Sequence, residues 1–210
     1  MARLTDTARR LMEFDAKGMA SLALWVLRRR DGVPPGATAV PYSGAQTAIM
    51  AMWLFAMVVE LVGLEIVLRA LDAPVALRTA ILVIDAYSVL VVLAVIAACI
   101  TRPHVVSPDE LRLRYGAFFD LRIPRALITG VRRVRNFDEN GLITVDGDVL
   151  ALAVASQTTV VVELAEPITA VRPLGARVRV RTVRFYADDP GAVLAALRPA
   201  PEPGLEDTAA

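Results

Sequence analysis

Three acidic residues interrupt the two most apolar stretches of the chain and are the first candidates for chemistry. Glu60 and Glu65 lie in the stretch 45–71, and Asp85 lies in the stretch 75–101. If both stretches are helices that cross a bilayer, a rise of about 1.5 Å per residue places Glu60 and Asp85 at similar depths near its middle. Two carboxyl groups that meet there cannot both ionise cheaply, so at least one would stay protonated.

Such a pair has two interpretations. It predicts either a proton-carrying or partner-binding acid pair, or an interhelical hydrogen bond that fixes the two helices against each other. Glu65 points away from this contact and lies nearer the outer interface, where it can reach water.

Residues for other kinds of catalysis are scarce. Cys99 is the only cysteine and His104 the only histidine, so an intramolecular disulfide and a thiol or histidine metal centre are excluded. No Walker loop, glycine-rich dinucleotide fingerprint or nucleophile elbow occurs. The sequence therefore predicts a protein that is not an enzyme and holds no cofactor or metal. We expect His104 to be a polar residue at the membrane surface or to orient a lipid headgroup.

Arginines recur at strand spacing in two places. Arg112 and Arg114 alternate with leucines, and Arg177, Arg179 and Arg181 alternate with valines and a threonine. Alternate strand residues share a face. Beside an anionic leaflet such a face gains about 1 kcal/mol per basic residue, which predicts lipid or partner binding. The alternative is a solvated face paired with neighbouring acids. Nucleic acid is a poor fit, because no exposed aromatic residues are interleaved with these arginines.

The stretches 45–71 and 75–101 are each long enough for a helix that spans a core of about 30 Å. Pro74 cannot continue the first helix, so the pair predicts a transmembrane hairpin with a short turn. Arginines 28–30 and Arg102 flank the hairpin, which places both termini in the cytoplasm of a two-pass inner-membrane protein. The alternative, two buried helices of a soluble protein, needs a larger core than the rest of the chain supplies.

The segments before the hairpin are less apolar. In residues 1–44, a helix is predicted to start at Thr5 or Asp6 and to run to about Arg30, with Trp25 near its apolar end. It would lie at the inner membrane interface or pack on the downstream domain. A proline- and glycine-rich linker, 31–44, follows, with Tyr42 as an interfacial anchor.

After Arg102 the apolar residues alternate, which is typical of strands. An Asp146-Gly147 turn is expected between two of them, and Asp188 or Asp189 should cap a final helix that begins at Pro190. About seven antiparallel strands and one helix predict a small barrel or sandwich over 102–198, capped by the C-terminal helix. The acidic, proline-rich tail 199–210 is expected to be disordered. The expected strands are 111–115, 118–123, 131–135, 142–145, 149–154, 159–164, 168–172 and 177–186.

The stretch SPDELRLRYGAFFDLRIPRALITGVR resembles the opening of bacterial pleckstrin-homology-like (PH-like) domains that lie next to membrane helices. The whole chain is similar to an uncharacterised family of actinobacterial integral membrane proteins, in which Arg-Pro-His follows a helical hairpin and the domain ends as in VRFYADDPGAVLAAL. The resemblance implies a PH-like fold without a defined ligand. The residues that carry the match in the opening are Leu111, Leu113, Gly116, Ile123, Pro124 and Ile128.

Together these patterns predict a non-enzymatic inner-membrane protein whose cytoplasmic PH-like domain binds a protein partner or anionic lipid. The alternative is an accessory subunit of a transporter or cell-envelope complex that uses Glu60 and Asp85. The expected partners are membrane lipids and a membrane or cytoplasmic protein. Self-association into a homo-oligomer is compatible with both.

Overall fold

The computed structural model describes the backbone of residues 2–198 and the side chains of residues 12–14 and 16–198. The tail 199–210, for which disorder was predicted, lies outside the described residues. A 3-10 turn over Arg125–Leu127 separates the two sheets in sequence. The elements, in chain order, are α1 (Ala2–Val26), β1 (Thr38–Val40), α2 (Gly44–Ala70), α3 (Val75–Thr101), β2 (His104–Val106), β3 (Glu110–Tyr115), β4 (Phe119–Pro124), β5 (Ile128–Asn136), β6 (Ile143–Asp146), β7 (Val149–Leu152), β8 (Thr158–Val171), β9 (Arg177–Phe185) and α4 (Pro190–Leu197).

Helices α2 and α3 confirm the predicted pair of long apolar helices. Each is 27 residues long, and each is long and apolar enough to cross a membrane. A core helix of a soluble protein would be mostly covered, but the most apolar windows of α2 and α3 are only 0% and 11% buried. Trp53, Phe55 and Ile84 are among the large side chains that the pair exposes. An apolar surface of this length needs lipid or another protein around it.

Helix α1 packs on α3 through small side chains. A Cβ atom added at Gly18 would lie 3.5 Å from the Ala94 Cβ atom, and the neighbouring Ala97 and Ala98 are buried. Small residues at such spacing let two helices approach closely. Phe14 also meets Phe118 of the β region edge-on, with ring centroids 5.4 Å apart. Helix α1 thus lies mainly on α3 and reaches the downstream domain at Phe14, while its location at the inner membrane interface stays a prediction.

Nine strands form two sheets in the described part of the chain. The first sheet has the antiparallel order β1-β2-β3-β4, and the second has the order β5-β8-β9-β7-β6. Within the second sheet β7 and β9 run parallel, whereas the other pairs are antiparallel. Their inner faces form one core, and α4 lies against β1, β2 and β5. The predicted combination of a helical pair and a β domain with a C-terminal helix is therefore confirmed at this level.

Two details of the predicted β domain need correction. The two sheets contain nine strands, are not closed and include one parallel pair, whereas about seven antiparallel strands in a small barrel or sandwich were expected. The predicted strands 159–164 and 168–172 are one strand, β8, whose register shifts between Glu163 and Ile168. The short strands β1 and β2 have three residues each, which is too few for alternation to be visible in the sequence.

The linker 31–44 is part of the first sheet. Val40 of β1 pairs with His104 of β2, so the chain leaves this sheet into α2 and returns to it from α3. The helix pair therefore rises from two neighbouring strands of one sheet. A fragment that begins at residue 103 would lack β1 and would expose the edge of β2, so the β domain includes residues from both sides of the helix pair.

Two local sequence signals in the β domain, a turn and a helix cap, are confirmed. Gly147 has φ +58°, which suits the tight turn between β6 and β7. Asp189 caps α4, because its Oδ1 atom accepts a hydrogen bond from the Ala192 N–H at 3.1 Å, and Pro190 is the first helical residue.

Candidate functional site

Arg114, predicted to face lipid or a partner, is buried inside the protein. Its side chain is 2% exposed. The Nε atom donates to the Pro103 carbonyl at 3.1 Å, and Nη2 donates to the Asp31 carbonyl at 2.8 Å. The Asp31 carboxylate lies 3.8 Å from Nη1. Gly32 makes room for this arrangement: its φ is +60°, and an added Cβ would lie 3.0 Å from Nη1. Arg114 therefore joins the linker to the end of α3.

Arg112, the neighbour of Arg114 on the same face of β3, is paired within its own sheet. Its Nε atom donates to the Asp120 carboxylate at 2.8 Å, and Nη2 bonds the second oxygen of that carboxylate. Burial alone would raise the pKa of Asp120, but the Arg112 hydrogen bonds and charge outweigh it and hold that pKa below its ordinary value. For Arg112, the structure therefore agrees with the alternative prediction, in which the arginine pairs with a neighbouring acid.

The three arginines of β9 are all exposed, but only Arg181 is bonded to the protein among the described side chains. Arg181 donates to the carbonyls of Leu164 and Ala165 at 3.2 and 3.1 Å, where the register of β8 shifts. Arg177 and Arg179 are exposed, and no carboxylate among the described side chains pairs with either. Of the five arginines predicted for lipid or partner binding, these two are exposed and have no carboxylate or carbonyl partner among the described residues.

Among the described side chains, no hydrogen bond joins Glu60 to Asp85, so the predicted interhelical hydrogen bond is not formed. Asp85 is half-buried in a stripe of α3 that also contains Ile81 and Ser88, the spacing of a helix contact. The half-buried stripe of α2 includes Leu61, and Glu60, one residue earlier, lies about 100° around the helix and is exposed. Similar depth therefore does not bring the two carboxyl groups onto facing sides.

Glu65 is the acid that connects the two helices. Its Oε1 atom accepts from Arg69 Nε at 2.7 Å and from Arg78 Nη2 at 2.5 Å. The Glu65–Arg69 spacing of four residues is an intrahelical ion-pair signal that the sequence contains. The bond to Arg78 on α3 fastens the helices near their turn. The prediction that Glu65 points away from the Glu60–Asp85 pair is compatible with this, but its partner was not predicted.

A buried polar network connects the foot of the helix pair to the first sheet. Tyr42, expected at the membrane interface, is 0% exposed; its hydroxyl oxygen accepts from the Gly116 N–H at 2.6 Å. Tyr115 donates its hydroxyl hydrogen to Gln46 Oε1 of α2 at 2.7 Å. Burial is the main cause that raises the pKa of both tyrosines, so both hydroxyls stay protonated. Tyr42 is therefore a core residue.

His104 lies in the same network and is likewise buried, which corrects its predicted place at the membrane surface. Its ring stacks on Tyr42 at 4.6 Å and meets Phe185 edge-on at 5.3 Å. Nδ1 accepts the Arg114 backbone N–H at 3.1 Å, so the proton is on Nε2, which donates to the Tyr186 carbonyl at 3.0 Å. Burial is the main reason that its pKa falls to about 4. His104 is a neutral structural residue.

A pocket of about 640 Å³ opens where α1, the linker and the end of α3 meet. We call it the foot pocket. One wall is the run Arg28, Arg29 and Arg30, and the apolar walls include Trp25, Val26 and Ile100. The arginine run is visible in the sequence, where it served to predict the orientation of the hairpin. The proximity of the end of α3 to this run could not be predicted from the sequence.

A second, apolar groove of about 420 Å³ lies beside the β8–β9 turn. We call it the turn groove, and it is lined by Leu142, Ile143, Arg172, Pro173, Leu174 and Ala176. Leu174 and Leu142 are 73% and 44% exposed. Large apolar side chains that are exposed together on a domain are typical of binding surfaces.

Among residues 12–14 and 16–198, no group of His, Cys, Asp and Glu side chains could hold a metal ion. Features of the described residues that combine exposed apolar surface with nearby arginines include the foot pocket and the turn groove. No protein-family model, curated protein sequence or solved structure matches this chain.

Proposed function

We propose that this chain is a non-enzymatic, two-pass inner-membrane protein that presents its β domain at the cytoplasmic surface to a protein partner or to anionic lipid. The observation that carries the proposal is the geometry of the helix pair. Its apolar surface is exposed. The start of α2 follows strand β1 and the end of α3 precedes strand β2, and these two strands are neighbours in one sheet. Because of this double attachment, a membrane around the helices would hold the β domain at a fixed orientation.

The charge distribution supports the cytoplasmic side for the β domain. Arg28, Arg29 and Arg30 lie beside the end of α3, and no carboxylate among the described side chains pairs with them. At the turn end, Arg69 and Arg78 are both bonded to Glu65. An excess of arginine near one end of a transmembrane helix pair favours the cytoplasmic side for that end.

The turn groove supports a protein partner. Its exposed leucines, Leu142 and Leu174, form an apolar surface. Arg177 and Arg179 are exposed on the adjoining end of β9. A partner segment with an apolar anchor and acidic neighbours would match this surface.

A second function, an accessory subunit of a membrane complex, is favoured by Glu60. This carboxyl group is exposed on α2 among exposed apolar side chains such as Val59 and Val62. A carboxylate that faces lipid near the middle of a bilayer costs on the order of 3 kcal/mol, whereas a hydrogen-bond donor on a neighbouring helix removes much of that cost. Asp85 would then stay within the hairpin and Glu60 would face the other subunit.

Affinity purification of the full-length protein from native membranes in mild detergent tests both functions. We expect to recover a stoichiometric partner. If that partner binds the turn groove, Leu174→Asp should abolish its recovery, because the substitution places a charge in the apolar surface that the partner would contact. A partner of the accessory-subunit type is instead lost with Glu60→Gln.

Matched controls are Val134→Asp, which adds the same charge to an exposed apolar position on β5, and Glu166→Gln, which neutralises an exposed acid on β8. Both should retain the partner. Recovery of the chain by itself, from membranes that contain it at its natural level, would contradict the partner function in both forms.

A further inference from the structure

We propose that the foot pocket binds the phosphate of an anionic phospholipid from the cytoplasmic leaflet. This inference rests on the proposed function, because it needs the helix pair to stand in a membrane. It assigns lipid recognition to Arg28, Arg29 and Arg30, and it removes that role from Arg112, Arg114 and Arg181, whose guanidinium groups already donate hydrogen bonds to acceptors of the protein.

The three arginines of the pocket carry charge that the protein does not neutralise. All three are exposed, and none has a carboxylate partner among the described side chains. The nearest acid in sequence, Asp31, is engaged elsewhere: its Oδ2 atom lies 3.5 Å from Arg102 Nε and 3.8 Å from Arg114 Nη1. Arginine forms bidentate hydrogen bonds to phosphate, so a run of unpaired arginines in a pocket is suited to that group.

Arg28, in the wall of the pocket, has a strained backbone conformation. Arg28 has φ +54°, the left-handed conformation that glycine usually supplies at a helix end. The bonds are those of such an end: Arg29 N–H to the Leu24 carbonyl at 2.8 Å and Arg28 N–H to the Trp25 carbonyl at 3.0 Å. Arginine at this position is less stable than glycine, and strain of this kind concentrates at functional sites.

The apolar walls identify the ligand as a lipid and not as a free anion. Trp25, Val26 and Ile100 are each at least 40% exposed, and all three line the pocket with the arginines. With 27 residues at about 1.5 Å each, α3 is about 40 Å long, which exceeds a core of about 30 Å, so its end lies at headgroup depth. If the phosphate binds the arginines, the acyl chains of the same lipid would lie along Ile100 and the exposed surface of α3.

Tryptophan quenching by brominated lipids tests the site. The chain has two tryptophans, so Trp53→Phe leaves Trp25, in the pocket, as the only tryptophan, which can be excited selectively at the long-wavelength edge of its absorption, away from the tyrosines. In reconstituted full-length protein, we expect brominated phosphatidylglycerol to quench Trp25 more strongly than brominated phosphatidylcholine at equal mole fraction. Arg28→Gly should lower the relative affinity for the anionic lipid about fivefold, the usual contribution of one basic residue near such lipid. The melting temperature should stay the same or rise, because glycine suits the backbone there.

Arg29→Gln with Arg30→Gln should lower the preference further, and Arg177→Gln with Arg179→Gln, which removes two exposed arginines of β9, should leave it unchanged. Equal quenching by the two lipids, or a preference that survives the pocket substitutions, would overturn the proposal. So would loss of the preference on addition of inorganic phosphate at millimolar concentration, which would identify a free-anion site.

The Trp25→Phe variant separates this result from the proposed function. Its remaining Trp53 is exposed on α2. If brominated phosphatidylcholine does not quench Trp53, the helix pair is not in lipid and the proposed function fails along with the site. If Trp53 is quenched while Trp25 shows no anionic preference, the lipid site alone is overturned.

Discussion

Substitution of Arg114 by alanine is expected to lower the free energy of unfolding by about 2–3 kcal/mol, the upper range for the loss of hydrogen bonds made by a charged group. The side chain is 2% exposed and donates to the carbonyls of Pro103 and Asp31. Without it, both carbonyls lose a charged donor and the Asp31 carboxylate loses one of its two arginine neighbours. The linker and the end of α3 would then no longer be joined through β3.

Equilibrium urea unfolding of the full-length protein in mild detergent, followed by near-ultraviolet circular dichroism of the tyrosines, measures this effect. Arg179→Ala is the matched control, because Arg179 is an exposed arginine in a strand, and its substitution should change the free energy by less than about 0.5 kcal/mol. Equal stability of Arg114→Ala and the parent protein would contradict the structural role of Arg114.

Acidification from pH 7 to pH 4 is expected to remove about 3 kcal/mol of stability through His104. The pKa of this residue is about 4 in the folded protein and 6.5 in its ordinary state, and each unit of difference corresponds to about 1.4 kcal/mol. Above pH 6.5 both states hold a neutral ring and nothing is lost. As the pH falls below 6.5, the unfolded chain binds a proton that the folded chain excludes, so stability declines until the folded ring titrates near pH 4.

The geometry explains why the folded ring excludes the proton. Nδ1 accepts the Arg114 N–H at 3.1 Å, and a protonated ring would point a second hydrogen at it. His104→Gln removes the titration, so its unfolding free energy should fall by about 3 kcal/mol less than that of the parent between pH 7 and pH 4. The same pH dependence in both proteins would show that carboxylates, and not His104, cause the acid sensitivity.

The elements that the sequence predicted well are those with a local signal. The apolar runs of α2 and α3, the turn at Gly147 and the cap of α4 at Asp189 follow from hydropathy, backbone conformation and side-chain hydrogen bonding within a few residues. The strands β1 and β2 were missed because three residues do not alternate visibly. The parallel pairing of β7 with β9 depends on contacts between distant segments, which no local pattern specifies.

The arginine predictions had the same limit. Alternation correctly placed Arg112 and Arg114 on the face of β3 opposite Leu111 and Leu113. Whether that face meets water depends on what covers it, and Asp31 of the linker lies across Arg114. Likewise, equal depth suggested a Glu60–Asp85 contact, but rotation about the helix axis decides which side chains face each other.

The side of the membrane on which the β domain lies is the most direct test of the proposed function. Cysteine can be placed in the α2–α3 turn as Asp72→Cys and in the β6–β7 turn as Asp146→Cys, both at exposed positions, and the native Cys99 is buried and should stay silent. In intact cells, a membrane-impermeant maleimide should label Asp72→Cys at once and Asp146→Cys only after permeabilisation. Labelling of both positions from the same side would contradict a hairpin that spans the membrane.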